Sequence, residues 1–202
     1  MKSVTKNMLA VAMFVISMSA PVMADQTVDD MVNSLTPRIR RGNPGEQGSA
    51  KPSNEAAKDA LSRYLAVRSK RGPGMKERKV LYDALKPLPQ LDLLTLYFDL
   101  DSAEVTPGSM PVVEKIGAAL TSERLTGSNF VINGHTDERG TAEHNLDLSQ
   151  RRAETVVNLL ISRFGISPDR LKAVGHGFEE LADPEHPLAA QNRRVQIVNV
   201  GK

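Results

Sequence analysis

Asp137 and Arg152 are the residues of this chain whose types and spacing best suit paired chemistry. Asp137 falls in an acidic, glycine-bounded loop, Gly134-His135-Thr136-Asp137-Glu138-Arg139-Gly140. Arg152 falls on the helix predicted to follow. The loop brings Asp137 to the N-terminus of that helix, where free N–H groups and the helix dipole favour an anion. A carboxylate accepts hydrogen bonds from an ammonium, and a guanidinium grips a carboxylate through two parallel bonds. Together they suit a zwitterion. The bland alternative is that Asp137 only caps the helix and Arg152 is one more surface charge.

Other chemistries fit less well. His135, Asp137, Glu138 and His144 lie close in sequence, with His176 and His186 elsewhere, but they lack the i, i+4 histidine pair of a helical metal site. There is no cysteine nucleophile and no GxSxG elbow. The expectation is a non-catalytic protein with no metal and no cofactor. Nucleic acid is not an expected partner either. The half carrying the motif is acidic, and with no Trp, 3 Tyr and 5 Phe the chain has few rings on which bases could stack.

Several elements must position the pair. Leu91 to Phe98 reads as a strand and leads into the polar stretch Asp99-Leu100-Asp101-Ser102. Ser109 to Thr121 reads as a helix, with Val112, Val113, Ile116, Ala119 and Leu120 on one side. Asn129 to Asn133 is a second strand. The helix carrying Arg152 is predicted from Ala142 to Phe164, ending at Gly165. Its core face is expected at Leu146, Ala153, Val157, Leu160 and Phe164, with Asn145, Leu148, Ser149 and Arg152 on a different face. Leu171 to Val174 and Val195 to Val200 complete the strands. The order β-α-β-α-β-β makes the fold class α+β, a mixed sheet with helices packed on one face.

The first 90 residues read differently. Residues 1–24 resemble a cleaved secretory signal: Lys2 and Lys6, an apolar run from Met8 to Ala20, and Val22-Met23-Ala24 as the cleavage site. The apolar run is short for a spanning helix, which needs about 20 residues. The alternative is an uncleaved anchor. With no cysteine, export brings neither disulfides nor a lipid-modified cysteine. Residues 25–52 read as a flexible linker with too few apolar residues to offset ordering entropy. Residues 53–89 read as a helical pair, 53–71 and Met75 to Leu85, broken at Gly72-Pro73-Gly74. Arg68, Lys70, Arg71, Lys76, Arg78 and Lys79 gather at its turn, either as a solvated turn or as a contact for an acidic surface, the acidic C-terminal half included. Residues 25–90 hold 13 Lys and Arg against 8 Asp and Glu, whereas 91–202 hold 11 against 16. The two regions therefore carry opposite net charge. Residues 25–90 are also the expected contact for any protein partner in the envelope.

The run Gly134, His135, Thr136, Asp137, Gly140, Asn145, Leu148, Ser149, Arg152, Ala153 resembles the signature of the OmpA-like peptidoglycan-binding domain, with every fixed position filled. Tyr97 to Ala103, Gly165 to Leu171, Gly175-His176-Gly177 and Asn192-Arg193-Arg194-Val195 are similar to other elements of that family. The resemblance covers about residues 90–202. Its variant Thr136-Asp137-Glu138-Arg139-Gly140-Thr141 most resembles the peptidoglycan-associated lipoproteins, but the lipidation cysteine is missing. The resemblance implies a periplasmic protein, associated with the outer membrane if a partner holds it there, that binds the diaminopimelate of a peptidoglycan stem peptide and tethers the wall. It implies that Asp137 takes the ammonium and Arg152 the carboxylate. Thr136, Asn145 and the backbone near Leu148 would add hydrogen bonds, and Asp99 would border the pocket. Asn192, Arg193 and Arg194 are assigned structural support.

Overall fold

The computed structural model describes residues 26–37, 54–71, 73–93, 96–98 and 101–202, without the side chains of 68–71. The expected signal, most of the expected linker and Asp99 lie outside these residues. Among the described residues five α-helices and four strands follow in order: α1 (Val28–Leu35), α2 (Asn54–Arg71), α3 (Met75–Leu85), β1 (Gln90–Leu93), α4 (Met110–Thr121), β2 (Asn129–Gly134), α5 (Ala142–Phe164), β3 (Leu171–Gly175) and β4 (Val195–Gly201). From β1 onward this is the predicted β-α-β-α-β-β order. The sheet runs β1-β4-β2-β3, with β2 and β3 parallel and β4 antiparallel to both β1 and β2.

Strand alternation divides the core in two. Phe130, Ile132, Leu171, Val195 and Ile197 face one way and pack on Val113, Ile116 and Leu120 of α4 and on Ala153, Val156 and Leu160 of α5. Val131, Val174, Val198 and Val200 face the other way. They are covered by Ala57, Ala60 and Tyr64 of α2 and by Leu81 and Leu85 of α3. Helices α4 and α5 thus share a face, as the element order predicts, and the helical pair closes the opposite one. The basic turn takes part in this docking. Arg78 forms a two-pronged ion pair with Glu179, and Lys79 approaches Glu180 at 3.7 Å. For these two residues the acidic C-terminal half is the contact. Arg68, Lys70 and Arg71 fall among the side chains not described.

The expected linker is a helix in its first part. Thr27 caps α1 by accepting from the Asp30 N–H, and the Asp30 carboxylate accepts from Thr27 N–H in return. Met31, Val32 and Leu35 are buried in the core with α4 and β1. Each fully buried apolar side chain contributes about 1.5–3 kcal/mol toward seating the helix. Averaged composition hides so short an apolar edge. The strand expected over Leu91 to Phe98 is also shorter. Strand β1 ends at Leu93, and Phe98 forms a separate bridge with Val105.

One side chain anchors the back of the sheet. Arg170 donates to the carbonyls of Ser128 (2.8 Å), Leu120 (3.0 Å) and Leu125 (3.0 Å), and its guanidinium lies 5.6 Å from the Phe130 ring centroid. Replacing Arg170 with alanine removes these three bonds between the end of α4 and the start of β2, and we expect a loss of about 2–3 kcal/mol. An unchanged urea midpoint in that variant would show that water replaces all three bonds at no cost.

Candidate ligand site around Asp137 and Arg152

The site forms where β2 hands over to α5. Gly134 ends β2 and Gly175 ends β3, and α5 crosses both at Ser149–Gln150. A Cβ on Gly134 would overlap the Ser149 carbonyl, and one on Gly175 would lie 2.5 Å from the Gln150 N. Glycine at both places lets the helix rest directly on the strand ends. Ser149 then accepts from the Gly177 N–H at 2.9 Å, and Gln150 accepts from the Gly175 N–H at 2.8 Å. The buried stripe of α5 is therefore Asn145, Leu148, Ser149, Arg152, Ala153, Val156 and Leu160. This corrects the two-face reading. The signature residues and the core residues form one stripe, polar where it meets the strand ends and apolar beyond.

Asp137 is buried and does not cap α5. Thr141 does that, accepting from the His144 N–H at 3.2 Å. The Asp137 carboxylate is held by its own loop: Oδ1 accepts from the Arg139 N–H at 3.2 Å. Oδ2 accepts from Arg193 at 2.8 Å and lies 3.5 Å from the Arg139 guanidinium. The capping alternative is thus excluded.

Arg152 is buried too and is not a surface charge. Its Nε donates to the Ser102 carbonyl at 2.9 Å, and its guanidinium carbon lies 4.9 Å from the Phe98 ring centroid. Among the described residues no carboxylate is within ion-pair distance of it. Burial pushes its pKa down, the charge of Arg193 adds to that, and Asp101 and Asp137 oppose both more weakly. A guanidinium pinned at Nε, desolvated and short of counter-charge has the chemistry to take an anion.

The remaining expected residues take varied places. Asn145 is buried and donates to the carbonyls of Arg139 (2.6 Å) and Thr141 (3.1 Å), so its amide shapes the loop. Thr136 donates its backbone N–H to Gly177, while its buried hydroxyl has no partner among the described residues. Leu148 lies inside α5 beyond the first turn, where the helix ladder occupies its backbone and leaves the side chain to offer. Asn192 is fully buried, accepts from the Asp183 N–H and donates to the carbonyls of Asp183, His186 and Pro187. Arg193 reaches the loop after β2 directly, donating to Asp137. Arg194 points away from the site, donating to Asp92 and to the Glu180 carbonyl. The alternation of side chains along an extended chain was the signal for this: of two adjacent arginines, one had to face the loop.

Behind the loop, on the side covered by α3, the rings of His135 and His176 stack at 5.2 Å. Tyr82 of α3 meets both edge-on, at 6.0 and 5.3 Å. His176 Nε2 pairs with Asn133 Oδ1 at 3.1 Å. Burial, then the neighbouring cations, hold both imidazoles neutral: His176 is pushed down to about 3 and His135 well below its ordinary range. Among the described residues no cluster of His and carboxylates suits a metal, and no helix is long and apolar enough to cross a membrane.

Known proteins resemble this chain in sequence. The OmpA family profile matches residues 97–194, from the start of the Phe98 segment to the end of the Arg193–Arg194 pair. The peptidoglycan-associated lipoprotein of Pasteurella multocida is 34% identical over 105 residues, covering 51% of this chain and 68% of that protein. The chain belongs to the OmpA family. A second OmpA-family relative, the peptidoglycan-associated lipoprotein of Pseudomonas aeruginosa, is 37% identical over 107 residues, 52% of this chain. The chain spans 61% of the length of that relative. Among solved structures, the peptidoglycan-associated lipoprotein from Burkholderia pseudomallei is 36% identical, covering 52% of this chain and 87% of that one, with a TM-score of 0.44.

Proposed function

We propose that this chain binds peptidoglycan non-covalently and tethers the cell wall to the envelope, without catalysis. The observation that carries the reading is the buried pair itself: Asp137 fixed by its loop, and Arg152 desolvated with no carboxylate partner among the described residues. Diaminopimelate in a stem peptide ends in an ammonium and a carboxylate on one carbon. Asp137 accepts from the first and Arg152 holds the second, with Phe98 and the Thr136 hydroxyl bordering them. The names of the relatives, peptidoglycan-associated lipoproteins, support this reading. We assign the protein to the periplasm, exported by residues 1–24, and any attachment to the outer membrane to a partner. Residues 25–90 are the place for such a partner, although Arg78 and Lys79 are already turned onto Glu179 and Glu180.

The test is co-sedimentation of residues 25–202 with purified diaminopimelate-type peptidoglycan. Wild type should pellet. Asp137→Ala should bind about thirtyfold more weakly, near 2 kcal/mol, at the low end for losing one partner of a desolvated charge pair. Pelleting that persists in both Asp137→Ala and Arg152→Ala would remove the site from the explanation. No pelleting of wild type would sink the function.

A further inference from the structure

The Asp137 carboxylate already holds a cation of this chain's own. Arg193 donates to Oδ2 at 2.8 Å, the tightest contact that Asp137 makes. The Asp137 side chain is 6% exposed, whereas that of Arg193 is 42% exposed, so the arginine head can swing into water while the aspartate stays. The Arg193 backbone is fixed independently. It follows the short 3₁₀ turn Ala190–Asn192, its N–H donates to Ala190, and Asn192 clasps the loop before it. Arg139, the other side chain near Oδ2, is at 3.5 Å and 65% exposed, a looser neighbour. Arg193 also raises the positive potential at Arg152, where it disfavours the charged guanidinium. Two cations thus crowd one buried carboxylate, and an ammonium arriving there would be a third.

We infer that Arg193 is a built-in counter-ion that an incoming ligand ammonium displaces from Asp137, so that this arginine sets how strongly the site selects a free amine. The inference rests on the reading of Asp137 as the ammonium acceptor. On displacement, the Arg193 head moves into solvent, the ammonium takes Oδ2, and the repulsion felt by Arg152 falls as it takes the ligand's carboxylate. Arg193 thereby acts as a specificity-determining residue. A ligand must carry a cation compact enough to outcompete a guanidinium, and a neutral amide in the same place cannot do so.

The test uses two soluble stem peptides ending in diaminopimelate, one with the side-chain amine free and one with it acetylated, titrated by calorimetry into residues 25–202. The variants are Arg193→Gln and Arg193→Lys. Arg193→Gln should bind the free amine about three- to tenfold more tightly than wild type does and leave the acetylated peptide unchanged, which widens the discrimination. Arg193→Lys should fall between. A structural role would not move that ratio, because it would weaken both peptides together. If wild type binds the free amine and Arg193→Gln binds it equally or less well, the inference fails and the reading of the site stands. If wild type binds neither peptide, the site reading fails and takes the inference with it.

Discussion

Acidification from pH 7 to pH 5 should remove about 2 kcal/mol of stability through His176 alone. Its folded pKa is about 3, against an ordinary value of 6.5. Between those limits the unfolded chain binds a proton that the folded chain refuses, so stability rises with pH. The contribution is complete above pH 6.5 and is lost as pH falls toward 3. Each pH unit is worth about 1.4 kcal/mol per histidine, so the whole window amounts to roughly 4–5 kcal/mol. His135 adds to the loss in the same direction. The physical cause is local. Protonating either ring places a charge beneath α3, among Arg78, Arg194 and the other imidazole, with little water to receive it. Urea midpoints measured every half unit from pH 7.5 to 4.5 would show it. A flat profile over that range would mean that the pair takes up its proton in the folded state.

Gly134→Ala should cost about 3 kcal/mol or more, although it adds a single methyl group. The Cβ would overlap the Ser149 carbonyl and lie 2.9 Å from its carbonyl carbon, both backbone atoms inside a helix. Nothing flexible can give way, so α5 must move off β2 as a unit, which is overpacking at its least forgiving. That shift carries Arg152 away from the Asp137 loop, so ligand affinity should fall together with the melting temperature, by roughly 6–12 °C for a chain of this size. Gly165→Ala makes the control. A Cβ there meets nothing within 4 Å, but φ is +63°, so its cost is only the left-handed backbone, about 1–2 kcal/mol. Equal melting temperatures for the two variants would mean that α5 has slack where it crosses the sheet.

Much of this was legible in residues, and the exceptions share a cause. The end of α5 could be read because Gly165 is a left-handed stop, a local signal. Asp137 and Arg152 could be picked out because the signature pairs them. That Arg193 lands on Asp137 could not be read, because the two lie 56 positions apart in sequence and no local pattern carries that contact. The Ser102 carbonyl that aims Arg152 is a backbone atom, which side-chain identity cannot report. Helix α1 escaped because Met31, Val32 and Leu35 acquire meaning only once α4 and β1 are there to receive them.

Helix α1 has a mechanical consequence. If the site is held by an immobile polymer while the N-terminal side of residue 26 is pulled, the load does not meet the sheet first. It meets an 8-residue helix seated on the core by three side chains and tied by bonds from the Asn199 amide to the Leu35 carbonyl and from the Arg124 guanidinium to the Asn33 side chain. Peeled off and drawn straight, those residues lengthen from about 12 Å to about 27 Å. The tether therefore contains a re-docking length of roughly 15 Å that yields before any strand is sheared. Under such a load α1 would be the first element to yield, placed in series ahead of the sheet.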